Sequence, residues 1–351
     1  DFRIPVNRLS RNFCNMDLLF VDFLGKPVWS WISFLLLVLA LLIFDLGVLQ
    51  RKSHEIGVRE SLMLSAFYIS IGLLFSLWVW YFLGEASALQ YLTGFVVEKS
   101  LALDNIFVIA MIFGYFGVPR AYQHRVLVYG IIGVVILRGI MIGLGAAVVA
   151  RFDWVLLIFA VFLIFTGIKM LMSGGGEYDV AANPVLRFMR RKFRVTDDLH
   201  GERFFVRVPN AKTGKIALYV TPLFLALVMV ELADVIFAVD SIPAIFAITQ
   251  DPYIIYTSNI FAILGLRALY FALSAMIHRF TYLPTALSLV LIFIGGKVIA
   301  AEVLGLEKVP ASISLGITMT ILIGGIVVSL WRTRAMADSS ASAPIVQVKA
   351  K

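Results

Sequence analysis

Residues 98–109 read EKSLALDNIFVI and residues 234–245 read DVIFAVDSIPAI. Aligned, they share one pattern: an acid, two residues, Leu or Phe, Ala, an aliphatic residue, Asp, Asn or Ser, Ile, two residues, Ile. The agreement continues downstream, where Arg138 in VILRGIM matches Arg267 in LGLRALY. LIFTGIKM at 163–170 matches LIFIGGKV at 291–298, which sets Lys169 against Lys297. Each copy holds three apolar runs, and an odd number makes the second copy enter a membrane from the opposite side. Inverted repeats of this kind recur in secondary transporters, with the substrate site near the midplane where the repeats meet. By analogy of architecture, transport is the expected class of function.

The rest of the chain fits a bilayer. Of its 351 residues 61% are hydrophobic and 15% charged, with a mean hydropathy of +0.94, against roughly 25% charged in a soluble domain. Runs of about 18 or more apolar residues mark spanning helices. Nine are expected, at 29–49, 61–83, 89–117, 126–149, 154–173, 217–249, 254–277, 283–303 and 312–331. The fold class is therefore all-α and membrane-integral. Two spanning helices at 28–84 lead into a first three-helix repeat at 88–173. A second repeat at 217–303 and a last helix at 311–331 follow. The runs starting near 89 and 217 exceed what a bilayer needs, so each is expected to tilt or break.

The net charge of +8 lies in short clusters between apolar runs, so it reads as topological bias and not as a nucleic-acid surface. Arg51, Lys52, Arg59, Arg120, Arg125, Arg279, Arg332, Arg334 and the nine bases of the 174–216 loop share one side. By the positive-inside rule that side is cytoplasmic. The N-terminal segment 1–27 is then outside, and the tail 332–351 is inside and expected to be disordered. Residues 1–15 lack the apolar core of a cleavable signal and read as an extension before Met16. The single cysteine, Cys14, leaves no internal disulfide or thiolate cluster.

The predicted spans hold Asp45, Glu98, Asp104, Glu231, Asp234 and Asp240 together with Lys99, Arg138, Lys169, Arg267 and Lys297. Each charge at a helix centre costs roughly 2.5 to 3.5 kcal/mol on insertion scales, so these residues must pair or work. Structural ion pairs are the plain reading. The matched positions of the acids, each followed by Asn105 or Ser241, favour an ion site. On a straight helix Asp234 and Asp240, six apart, do not share a face. Pro243 would break the second copy and turn both inward, whereas the first copy has Phe107 there. Glu231 and Asp234, three apart, share a face without a break.

Carboxylate, carboxamide, hydroxyl and carbonyl oxygens are hard donors suited to manganese, magnesium or calcium. His54, His124, His200 and His278 fall in loops or at helix ends, which disfavours zinc and copper. Arg138 and Arg267 read as counter-ions to the acids or as part of proton coupling, with Lys99 and Lys297 in the same class, while Lys169 near its helix end can snorkel. Trp78, Trp80 and Tyr81 read as lipid-facing or interfacial. Neither a Walker loop nor a Ser/His/Asp constellation is present, so the chain is not read as an enzyme.

EKSLALDNIFVIA and ELADVIFAVDSIPAIFAIT, with FDLGV at 44–48, RVLVYG at 125–130 and SNIFAILGLRALYF at 258–271, resemble the TerC family of membrane proteins, in particular its Alx-type members. The resemblance runs from about Met16 through Trp331. It implies a bacterial cytoplasmic-membrane protein linked to manganese export, in a family named for tellurium resistance. It also implies metal contact by Glu98, Asp104, Asn105, Glu231, Asp234, Asp240 and Ser241, and more weakly by Asp45. The expected cargo is Mn2+, with no organic cofactor. Protons are the expected counter-ion, since carboxylates that release a metal away from water favour their protonated form. A membrane scaffold or insertion factor without transport, and an oxyanion pathway along the arginines, are the alternative readings.

Overall fold

The computed structural model of the chain describes residues 20–47, 58–152, 154–173, 180–209, 216–273, 282–307 and 309–341. Side chains at 46, 47, 58, 103, 104, 107, 173, 283 and 333–341 fall outside the description. Residues 1–15 lie outside it altogether.

After a short hairpin, β1 (Asp22–Phe23) with β2 (Lys26–Pro27), come α1 (Val28–Gly47), α2 (Val58–Leu83), α3 (Glu85–Tyr115), α4 (Arg120–Arg151) and α5 (Val155–Ser173). A connecting segment carries α6 (Pro184–Lys192) and an antiparallel hairpin, β3 (Phe205–Pro209) with β4 (Ile216–Val220). The chain then forms α7 (Pro222–Phe246), α8 (Pro252–Ile263), α9 (Leu266–Leu273), α10 (Leu283–Glu302) and α11 (Ala311–Ala341). Prolines open α6, α7 and α8, where a missing N–H costs nothing. Asn183 and Asp251 cap the first and last of these by accepting from the backbone N–H groups two and three residues on.

Eight segments among the described residues are long and apolar enough to cross a membrane, with α8 and α9 together forming one of them. The ninth expected span is α3. It is one unbroken helix of 31 residues, about 46 Å at 1.5 Å per residue, and Glu98, Lys99 and Asp104 dilute its apolar run. Large side chains such as Leu74, Leu144 and Val327 are more than half exposed on the outer surface, as lipid-facing positions should be. Trp80 and Tyr81 join them. Trp78 instead stacks on Phe75 with centroids 5.1 Å apart, because its turn of α2 faces α1.

Three boundaries differ from the sequence expectation. Residues 217–220 belong to β4, and the helix begins only where Pro222 presets the backbone. Pro243 does not break α7, which runs through it to Phe246. So close to the helix end, its lost hydrogen bond leaves little helix to disrupt. The break falls in the next span, at Leu264 and Gly265, where the chain leaves α8 and restarts as α9. Gly265 has φ +81°, and a Cβ there would sit 2.7 Å from Tyr68 Cβ, so both conformation and space demand glycine. Finally, α11 continues to Ala341, past the boundary expected at Trp331, since RTRAMA after Trp331 is rich in helix formers.

The packing brings the two matched segments together. α3 lies on α7 and α8, α4 lies on α7 and α8, and α5 crosses α10 and α7. At the α5–α10 crossing the two backbones approach closely. A Cβ on Gly167 would meet Ser288 O at 2.8 Å, and one on Gly295 would meet Ala160 O at 2.6 Å. These two glycines occupy the same position in LIFTG and LIFIG, so each copy supplies the small residue that lets the backbones touch. An aromatic cluster of Phe34, Phe75, Tyr91, Tyr253 and Phe261 ties α1, α2 and α3 to α8.

Candidate functional site

Arg138, near the middle of α4, is 1% exposed and is among the largest fully buried side chains. Its Nε and Nη2 donate to the two carboxylate oxygens of Asp234 on α7, at 3.2 and 2.9 Å. Nη1 donates to Glu98 Oε1 on α3, to Asn259 Oδ1 on α8 at 2.8 Å and, more weakly, to Ser241 Oγ at 3.4 Å. Four helices thus converge on one guanidinium. The planar fork suits this, because it can hold one carboxylate bidentately and still reach a second. Glu98 and Asp234 are the first acids of the two matched segments, so the sequence repeat becomes a spatial pair.

Oxygen atoms remain around this core. Glu98 Oε2, Asn105 Oδ1 and Glu231 Oε2 are buried with no hydrogen-bond partner among the described residues, as is Asn259 Nδ2. Buried polar groups without partners are rare in folded proteins, and each calls for an explanation. Glu231 lies on α7 one turn before Asp234, and both face α4 as their spacing requires. Its carboxylate occupies the space over Gly133 that a Cβ would fill.

The second acids behave differently. Asp240 turns toward α5, where Thr166 Oγ1 donates to it at 3.3 Å. It does not join Asp234 at Arg138, because an unbroken α7 keeps residues six apart on separate faces. The expected inward turn at Pro243 is therefore corrected. Asp104 lies within α3, and its side chain is outside the described residues.

A separate ionic group lies around Arg267 on α9. Its Nη2 donates to Asp45 Oδ1, which also accepts from Tyr68 OH at 2.9 Å, and the His124 imidazole lies against the same guanidinium with Nδ1 2.6 Å from Nη1. Asp45 is thus held apart from Glu98 and Asp234 by its own arginine. A cavity of about 30 Å³, room for roughly one water, joins the two groups, lined by Asn105, Asp234, Phe237 and Arg267 among others.

The lysines take three roles. Lys99 pairs with no carboxylate among the described residues. It donates to Ala262 O at 2.9 Å and Leu264 O at 3.3 Å, the carbonyls freed by the break between α8 and α9. Lys297 donates to Ser314 Oγ at 3.1 Å beside a cavity of about 350 Å³ whose lining includes Gln90, Thr93, Thr249 and Gln250. Lys169 is exposed on α5.

Asn259, Gly133, Thr166 and His124 were not assigned to the site from the sequence. Asn259 had a signal, a carboxamide inside an apolar run; the others make sense only once their partners are located. Among the described residues no three carboxylate, imidazole or thiolate groups converge as a metal shell. Here the cation between the acids is the guanidinium itself.

These features define a polytopic helical membrane protein whose core encloses a buried cation held by acids from two repeated segments. The chain belongs to the integral membrane protein TerC family, whose model matches residues 83–337. It is 43% identical over 316 residues to Alx of Escherichia coli K12, covering 88% of this chain and 95% of that one; the name of Alx proposes a membrane-bound redox modulator. An uncharacterized membrane protein of Rickettsia bellii is 46% identical over 303 residues, covering 86% and 97%. No solved structure matches the chain.

Proposed function

We propose that the chain is a secondary exporter of a hard divalent cation, with Mn2+ as its principal cargo, and that the acids around Arg138 form its transport site. The observation that carries this reading is the convergence of Glu98 and Asp234 on one buried positive charge, with unpartnered oxygens of Glu98, Asn105 and Glu231 beside it. A chamber that stabilises a guanidinium in the membrane interior has the field and the oxygen donors to stabilise a metal ion. Arg138 acts as the resident cation, and cargo enters as the guanidinium withdraws. Metal and arginine then compete for the same carboxylates, so the empty carrier keeps its acids neutralised as it changes orientation.

The two segments act as inverted repeats. The reciprocal packing, α3 on α8 and α4 on α7, with Gly167 and Gly295 at one crossing, is what an approximate two-fold axis in the membrane plane would give. In this reading the connecting segment with its basic α6 is cytoplasmic, the N-terminus lies outside, the membrane is the bacterial inner membrane, and protons return through the acids. The redox role in the name of Alx has no dithiol to rest on in this chain, which has one cysteine. Export of a redox-active metal would act through the cargo.

A scaffold reading is favoured by one observation, the occupation of Glu98 and Asp234 by Arg138. It makes both ionic groups structural, so exchanging Asp45 with Arg267, which are true partners, should preserve function. Manganese efflux from loaded cells separates the readings. The exporter loses efflux in Glu98→Gln and Asp234→Asn at matched expression, and unchanged efflux in both would overturn it.

A further inference from the structure

We infer that the connecting segment is a membrane-surface module, in which one face of the β3–β4 hairpin docks on the anionic lipid headgroups around the ends of α4 and α7. This rests on observations separate from the transport site. The register pairs Arg207 with Leu218 and Pro209 with Ile216, and cross-strand partners lie on the same face of a hairpin. Phe205, opposite Val220, shares that face.

Its large apolar side chains are left open. Phe205 is 48%, Leu218 60% and Ile216 73% exposed, whereas Val206 on the opposite face is 6% exposed. Val220 at the end of this face is buried, but its three other large apolar groups stay open, and they leave a surface to cover.

The lipid headgroup layer is the occupant that position and charge select. β4 runs through Thr221 directly into α7, so the hairpin hangs from the end of a spanning helix. The Phe205 ring lies 4.7 Å from that of Phe224 in the first turn of α7. The Phe204 ring packs on Tyr129, two turns into α4, and Arg125 lies over both rings. The open face is therefore continuous with the boundary of the spanning bundle.

Basic groups flank it. Arg194 accepts a backbone hydrogen bond from Val220 N, which places the basic end of α6, with exposed Arg191, Lys192 and Phe193, at the β4 edge. Residues 180–209 hold seven Lys and Arg against three Asp and Glu. Apolar groups interleaved with cations at the bilayer boundary are the composition that binds anionic headgroups.

The test uses the full chain carrying Leu218→Cys in a Cys14→Ser background, labelled with an environment-sensitive fluorophore. The protein is reconstituted in phosphatidylcholine vesicles with or without phosphatidylglycerol. Quenching by lipids bearing a spin label near the headgroup should rise about twofold or more when phosphatidylglycerol is present. Adding Arg191→Gln, Arg194→Gln and Arg207→Gln should return it to the neutral-lipid value. Quenching that is equal in the two compositions, or a label shielded only on addition of cytosolic protein, would overturn the inference. The exposed positions chosen leave the packed face of the hairpin intact, and thermal unfolding of each variant verifies this.

Discussion

Glu98 and Asp234, the first acids of the two repeated segments, are bridged by a single guanidinium, that of Arg138. All three side chains are buried. Removing one member of such a group leaves an uncompensated charge at a cost of about 3–5 kcal/mol, whereas removing all of the charges together is far milder. Arg138→Gln is expected to lower the stability of the solubilised protein by about that amount. Adding Glu98→Gln and Asp234→Asn should restore much of it, and thermal unfolding of the two variants side by side checks the order. A triple variant less stable than the single one would show that the three charges do not form one unit.

The broken helix depends on Lys99. Its ammonium donates to the carbonyls of Ala262 and Leu264, which the break at Gly265 leaves without helical partners. Lys99→Met keeps the stem and removes the donor, so two buried carbonyls lose their bond. A loss of about 1–3 kcal/mol is expected, together with faster amide exchange in α9 than in α5. Unchanged exchange in α9 would mean that the break is held by Gly265 and packing alone.

Gly167 and Gly295 set the distance between α5 and α10. An added Cβ would meet a backbone oxygen within 2.8 Å at each position, Ser288 O beside Gly167 and Ala160 O beside Gly295, and a backbone atom cannot turn aside as a side chain can. Gly167→Ala and Gly295→Ala should each cost about 1–3 kcal/mol by forcing the helices apart. Gly296→Ala, with nothing within 4 Å of its Cβ, is the matched control and should unfold close to the parent temperature.

Gly133 makes room for Glu231. Alanine there would collide with the carboxylate, so Gly133→Ala is expected to displace Glu231 and to reduce manganese transport about as much as Glu231→Gln. The double variant should be no worse than either single one, because the two act on one group. Additive losses in efflux would separate Gly133 from Glu231.

The membrane class and the helical segments were legible because bilayer thickness imposes a length and polarity on each span. The repeat was legible because the acid pattern survives in both copies. The position of the break was not. Pro243 is the stronger sequence signal, yet three residues from the helix end it has little to break, while Gly265 gives no hint that Tyr68 will press against it. The partner of each base was equally hidden. Arg138 and Arg267 look alike in sequence, but one meets the repeated acids and the other meets Asp45 and His124 on separate helices. Which acid an arginine finds depends on helix rotation and tilt, and neither is written in the local pattern.

In the proposed transport cycle a metal ion replaces the Arg138 guanidinium at Glu98 and Asp234. The most direct measurement is Mn2+ flux across vesicles containing only the purified chain, followed by quenching of an internal metal-sensitive dye, for the parent protein and Glu98→Gln. Saturable flux is expected from the parent and at least about a tenfold loss in the variant, since a carboxylate ligand to a hard cation is not replaced by a neutral amide. Equal flux from the two proteins would place the metal elsewhere. Absence of flux from the folded parent, with a proton gradient of either sign, would contradict transport and leave the ion pairs as structure.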